Sequence, residues 1–202
     1  MVRASAKPAF AVHPLTAERW ADLETVFGPT GGYCGCWCMY WRAPRRDFEN
    51  PEARKQMKAR FRRRVRKGPP PGLIAYACDG EPVGWMQLTP RPDAPNWNGP
   101  RRLSAPLDPA EGDDPNVWAI NCFVVRRRWR RKGVARALLG AGIDWARKNG
   151  ARCIDACPVE TAENKPAVSL YHGTAAMFAR AGFVEIARRR GDRPLVRLRF
   201  GA

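Results

Sequence analysis

Residues Val117 to Val125 are apolar except for Asn121, a pattern that predicts a central strand buried on both faces. After a short basic stretch, residues 134–148 place Ala137, Leu138, Ala141, Ile143 and Trp145 roughly at helical spacing and stop at Asn149-Gly150, so strand, turn and helix follow one another directly. Upstream, residues 10–13 alternate briefly before Pro14 and read as a first short strand. Thr16 then caps a helix to about residue 27, with Leu15, Trp20, Leu23, Val26 and Phe27 on its apolar face. Asn50-Pro51-Glu52 joins a cap, a first-turn proline and an acid at the positive end of the dipole. It predicts a helix to about residue 67, with Met57, Phe61 and Val65 as its buried stripe.

Residues 73–78 and 82–88 flank Asp79-Gly80 and predict an antiparallel hairpin. Residues 153–159 predict a further strand, 169–181 a helix ended by Gly182, and 183–187 and 195–200 two final strands. Between 89 and 116 periodicity gives way to proline, aspartate and asparagine, and so long a connection predicts an ordered loop or lid. The order β-α-α-β-β-β-α-β-α-β-β is that of an α/β or α+β sandwich, in which helices cover a mixed sheet.

Length and composition narrow this only in part. The 202 residues suit one domain over 1–202 with an irregular Pro-rich insertion at about 89–116, and 45% apolar content suffices for a packed interior. No stretch approaches the roughly 20 apolar residues of a membrane span, and the first ten residues lack the apolar centre of a signal peptide, so a cytoplasmic protein away from the membrane is expected. Seven cysteines without an export signal predict reduced thiols, most of them small core residues. A net charge of +17 favours anionic partners: nucleic acid, acidic membrane or a polyphosphate cofactor. Charge alone does not choose among these, and a solvated basic surface satisfies it equally.

The turn after the central strand carries more information. A strand running into a glycine-containing turn and then a helix N-terminus leaves backbone amides unpaired and pointing outward, which suits phosphate. In the segment Val125 to Ala135, Gly133 lets the backbone approach a ligand closely and Ala135 keeps the first helical turn from blocking it. Val125, Arg130, Gly133 and Ala135 resemble the acetyl-CoA signature of the GNAT superfamily. Ala179-Arg180-Ala181-Gly182-Phe183 resembles its closing helix-to-strand junction. The resemblance covers roughly residues 8–200, is strongest over 117–187, and weakens over 28–68 and 89–116.

That resemblance implies a mixed, mostly antiparallel central sheet flanked by helices, and acetyl-CoA as cofactor. The main chain of Phe123, Val124 and Val125 would pair with the pantetheine arm. Amides from Arg130 or Arg131 through Lys132, Gly133, Val134, Ala135 and Arg136 would cradle the pyrophosphate. The side chains of Arg126, Arg127, Arg128 and Arg131 either meet the ribose phosphate or face solvent. The acceptor pocket is expected between the first two helices, so Tyr33, Trp37, Tyr40 and Trp41 either line it or form a hydrophobic cluster beneath a loop.

The family's acid, a tyrosine four residues before the closing glycine, is replaced by Phe178. Tyr171, about two helical turns earlier, is the candidate substitute. His172 is a candidate base by its ordinary pKa or a packing residue. Asn121 either orients the amine or a relay water, or satisfies its own hydrogen bonds within the sheet. Asp155 and Glu160 are further candidates, and an amide near Val125 is the candidate oxyanion donor. Cys34, Cys36 and Cys38 lack a second knuckle and a nearby histidine, so no metal is expected. The helix over 51–67 carries nine Lys/Arg against one acid, either a solvated face or a nucleic-acid surface.

Together these features predict an N-acetyltransferase acting on a primary amine of a small molecule, an aminoglycoside-like antibiotic being one candidate. A protein N-terminus or lysine is the alternative acceptor. A nucleic-acid-binding or regulatory module that keeps the fold without catalysis is the alternative of another class. A homodimer is compatible with all three.

Overall fold

A computed structural model describes residues 10–160 and 171–201 of the protein. One seven-stranded sheet runs in the order β1-β2-β3-β4-β5-β7-β6, from β1 (Ala11–Pro14), β2 (Gly72–Tyr76), β3 (Pro82–Pro90), β4 (Val117–Val125), β5 (Cys153–Ala156), β6 (Val184–Arg188) and β7 (Pro194–Arg199). Every neighbouring pair is antiparallel except β4 and β5, which are parallel. No helix among the described residues is long and apolar enough to cross a membrane.

Alternation along the strands assigns the two faces of the sheet. Leu73, Ala75, Met86 and Leu88 point to one face and pack under α5 (Val134–Lys148). Ile74 and Trp85 point to the other, under α1 (Trp20–Phe27) and α4 (Met57–Lys67). Helix α5 sits close because Gly84 and Gly142 carry no side chain; a Cβ on Gly84 would lie 2.6 Å from Val134 Cγ1, and one on Gly142 would overlap Met86. Its buried stripe is Val134, Leu138, Leu139, Gly142 and Ala146, so Ile143 and Trp145 flank the stripe instead of forming it.

Three predicted helices differ. Residues 17–19 form a short 3₁₀ turn before α1, and Thr16 makes no capping bond. The helix over 51–67 is interrupted at Gln56, giving α3 (Pro51–Lys55) and α4, with α2 (Arg45–Glu49) ahead of them. Asn50 does cap α3, accepting from the amides of Glu52 and Ala53. The last helix, α6, spans only Ala175–Arg180: Gly173 takes φ +74°, and the Thr174 hydroxyl caps the helix by accepting from Met177 N. Ser169 and Leu170, predicted in that helix, lie outside the described residues.

The insertion is ordered through three short 3₁₀ turns at Arg91–Asp93, Pro95–Trp97 and Pro109–Gly112. A buried ion cluster ties it to the sheet. Asp155 on β5 accepts from Arg91 (Nη2 2.6 Å) and from Arg197 on β7 (Nε 2.6 Å), and Arg197 also reaches Glu111 (2.7 Å). Arg91 lies 4.6 Å over the Trp97 ring. Asp155, predicted as a candidate base, is therefore fully buried between two guanidinium groups, and Glu160 pairs with Arg188 at 2.7 Å.

Candidate active site

The site forms where β4 loses its neighbours. Strand β5 pairs only with residues 117–120, so the β5-side edge of β4 is open from Asn121 onward. On the other side Gln87 and Leu88 of β3 oppose Cys122 and Ile120, which makes Asn121 the extra residue of a bulge. The bulge shifts the alternation. Trp118 and Ile120 face the α5 side before it, and Phe123 and Val125 face that side after it, while Asn121, Cys122 and Val124 line the opposite side. Antiparallel pairing sends alternate main-chain groups to opposite edges. The Arg126 amide bonds Val83 O at 3.0 Å and Val124 is paired with Trp85, so the amides of Phe123 and Val125 face the open edge.

Two cavities meet at this edge. The loop cavity, about 950 Å³, is walled by Phe123, Val125, Trp129, residues 130–136 and the start of α6. Gly133 caps α5 with φ +90°, and Arg131 also takes a positive φ of 61°. With the backbone turned this way, none of the amides from Arg131 to Arg136 donates to a main-chain carbonyl among the described residues. Six consecutive unbonded amides at a helix start have the chemistry that suits an anion. Two of the arginine side chains are engaged elsewhere, since Arg126 and Arg128 both bond the Glu81 carboxylate, which also accepts from Trp129, while Arg130 Nε donates to Val125 O at 3.3 Å. Lys132 lies over the Trp129 ring.

The aromatic cavity, about 490 Å³, is enclosed on one side by the insertion through Trp97, Arg102, Leu103 and Ser104. Tyr33, Tyr40, Trp41 and Phe48 supply its aromatic wall, and Gln87 and Asn121 lie in its floor. Both amides are buried, at 0% and 2% exposure, and neither side chain finds a partner for its oxygen or its nitrogen. The thiols of Cys34, Cys36, Cys38 and Cys122 also line it. Burial pushes Cys36 up to about 12 and raises Cys38, so these two stay protonated and present soft apolar surface. Among the described residues no group of three or more His, Cys, Asp or Glu is arranged to hold a metal.

Tyr171 stands in the walls of both cavities. Its ring lies 5.8 Å from that of Tyr33. Burial raises its pKa, so the phenol keeps its proton at neutral pH. His172 lines the aromatic cavity beside Trp41, with the ring centroids 6.3 Å apart. Burial, helped by the charge of Arg193, pushes it down to about 4, and a hydrogen bond to the Asn121 main chain opposes this. It is therefore neutral near pH 7 and a poor acceptor for an ammonium proton.

Several predicted positions are corrected. Tyr171 does not share a helix face with Phe178, because Gly173 and the Thr174 cap separate them. Phe178 is fully buried against Phe123 and Phe183. Trp37 packs between Trp20 and Phe27 and is absent from the cavity wall, since the turn at Cys36 to Cys38 directs it into the core below. Val124 does not face the open edge; its main chain pairs with β3 and its side chain lies in the aromatic cavity. Gln87, Trp97, Arg102, Ser104 and Arg193 were not predicted. Gln87 had a signal: it is the lone polar residue in the run 83–88, as Asn121 is in β4.

Known proteins share this architecture. A GCN5-related N-acetyltransferase from Kribbella flavida superposes with a TM-score of 0.55 at 20% identity, covering 95% of this chain and 98% of that one. The PaiA N-acetyltransferase from Thermoplasma acidophilum, solved in complex with coenzyme A, gives 0.53 at 12% identity over 95% and 99%. A GNAT-family acetyltransferase from Listeria monocytogenes gives 0.55 at 11% identity over 95% of each chain. At these identities the likeness is one of fold. A search of the curated proteins finds no match. The model of the acetyltransferase (GNAT) family matches residues 37–174, which spans β4, the turn at Gly133 and all of the aromatic wall but Tyr33. The chain belongs to the GNAT acetyltransferase family and is an acyltransferase.

Proposed function

We propose that the protein is a cytoplasmic N-acetyltransferase that uses acetyl-CoA in the loop cavity to acetylate a primary amine of a small molecule held in the aromatic cavity. One observation carries the reading: Tyr171, a protonated phenol, stands in the walls of both cavities. The unbonded amides of residues 131–136 fit the cofactor's pyrophosphate, and the open edge of β4 at Phe123 fits an amide-bearing pantetheine arm. Bound there, acetyl-CoA supplies an acyl thioester whose thiolate must be protonated as it leaves. The neutral amine attacks the thioester carbonyl, the C–N bond forming as the C–S bond breaks. Tyr171 gives its proton to the thiolate and takes one back from the acylated nitrogen, the Val125 amide is the donor for the oxyanion, and neutral His172 bonds the Asn121 main chain.

Enclosure by the insertion favours a small acceptor over a protein chain, which would need an open groove. Four of the nine basic residues over 51–67 are paired, Lys55, Lys58, Arg60 and Arg64 with Glu52, Glu24, Asp47 and Asp93, which lowers the charge those helices present to a nucleic acid.

Thiol release from acetyl-CoA across an amine panel tests the function. Tyr171→Phe should lower kcat about 100-fold while leaving KM for acetyl-CoA near its starting value. An unchanged kcat would remove Tyr171 from the chemistry. Absence of turnover with every amine, together with a steep salt slope for DNA binding, would overturn the enzyme reading.

A further inference from the structure

The aromatic cavity differs electrostatically from a site for a polycation. Its wall holds the guanidinium groups of Arg54, Arg102 and Arg193, and among the described residues it holds no aspartate or glutamate. Elsewhere the arginines meet carboxylates, as Arg91, Arg126, Arg188 and Arg197 do. No described carboxylate pairs with Arg54, Arg102 or Arg193.

Two of the three heads are held in place. Arg193 donates to Cys157 O (2.8 Å) and Pro158 O (3.1 Å), which fixes its plane and leaves Nη1 without a hydrogen-bond partner among the described residues. Arg102 lies 5.5 Å over the Trp41 ring. A preorganised guanidinium loses little freedom on meeting a carboxylate or phosphate, so such an arrangement favours an anion over water.

A second, independent observation points to a polar guest. Gln87 and Asn121 are buried in the same wall with every side-chain donor and acceptor unmet. Buried amides are normally satisfied, and these two require either a ligand or solvent in the cavity. Trp41, Trp97 and Leu103 leave room between the polar ends for an apolar or aromatic body.

We infer that the acceptor is a small amine carrying an anionic group, a carboxylate or a phosphate, and that Arg102 and Arg193 select it by binding that group. The inference rests on the reading of the aromatic cavity as the acceptor site. It excludes polycationic amines, aminoglycoside-like antibiotics among them, because three cations without a counter-charge would repel them.

Matched pairs test it: each standard amino acid against its amide, and aminoalkyl phosphates against the corresponding amino alcohols, with spermidine as the polycation. The anionic member should show kcat/KM higher by about 10-fold or more in at least one series, and the better series identifies carboxylate or phosphate. Arg102→Gln and Arg193→Gln should each raise KM for that acceptor about 10-fold, leaving KM for acetyl-CoA near its starting value. Preference for the neutral members or for spermidine would overturn the inference. Should no amine be acetylated, the function proposed above fails. Tryptophan fluorescence titrations with the same pairs then decide the binding question alone: tighter binding of the anionic member, lost in Arg102→Gln, supports the inference, and equal binding by wild type and variant overturns it.

Discussion

The two cavities that meet at Tyr171 are built from different materials. The loop cavity is walled mostly by one continuous stretch, residues 123–136, and presents main-chain amides. The aromatic cavity gathers side chains from β3, β4, the insertion and residues as distant as Tyr33 and Arg193. Main-chain recognition depends on φ and ψ, so it tolerates changes of side chain. Side-chain recognition depends on tertiary packing, so a family can keep one cavity and rebuild the other.

The sharpest way to break that contrast is at Gly133. With φ +90°, a β-branched residue is strained there, and Gly133→Val should change the directions of the neighbouring unbonded amides. Losing two charge-assisted bonds at about 1.5–2 kcal/mol each predicts a KM for acetyl-CoA raised by about 100- to 1,000-fold. Arg127→Gln, which removes a charge but leaves the turn intact, should change it by about 3-fold or less. Calorimetric titration with CoA of both variants provides the check, and equal losses would show that the turn works by side-chain charge.

The same division explains what was legible in the sequence. Strand β4 and helix α5 were read at their observed bounds because a buried run and an amphipathic repeat with a glycine before it are local signals. The glycine turn between them, with its unbonded amides, was legible for the same reason. The break at Gln56 was not, since nothing in the composition of 51–67 opposes a continuous helix. Tyr171 was singled out for a helical phase it does not have; it reaches the junction by another route, on the turn before Gly173. The ion cluster of Arg91, Asp155 and Arg197 joins residues 42 or more positions apart, and no local pattern marks buried charges of that kind.

Acidity separates the cavities a second time, because the aromatic wall contains a half-buried imidazole. His172 has a folded pKa of about 4 against an ordinary value near 6.5. Between these two pH values the unfolded chain binds a proton that the folded protein refuses, so stability falls as pH drops through this window. The loss should be on the order of 2–3 kcal/mol by pH 4. His172→Gln should flatten that limb when urea midpoints are measured from pH 7 to pH 4. Parallel wild-type and variant curves would place the imidazole in solvent.

Gln87 gives the smallest effect and the most specific one. Its side-chain oxygen and nitrogen are both buried and both unpartnered in the cavity floor, which costs the free protein up to about 1–3 kcal/mol. Gln87→Met keeps the volume and removes the penalty, so it should leave stability unchanged or raise it by about 1 kcal/mol. The same change should raise KM for the acceptor several-fold, through loss of one hydrogen bond to a polar guest, with KM for acetyl-CoA unaffected. Urea unfolding and initial rates on one preparation read both quantities. A variant that is less stable and still binds acceptor normally would mean that Gln87 serves the fold. A variant gaining stability while losing acceptor would show that the aromatic cavity holds its polar groups unsatisfied for a ligand, where the loop cavity holds its amides free by backbone geometry alone.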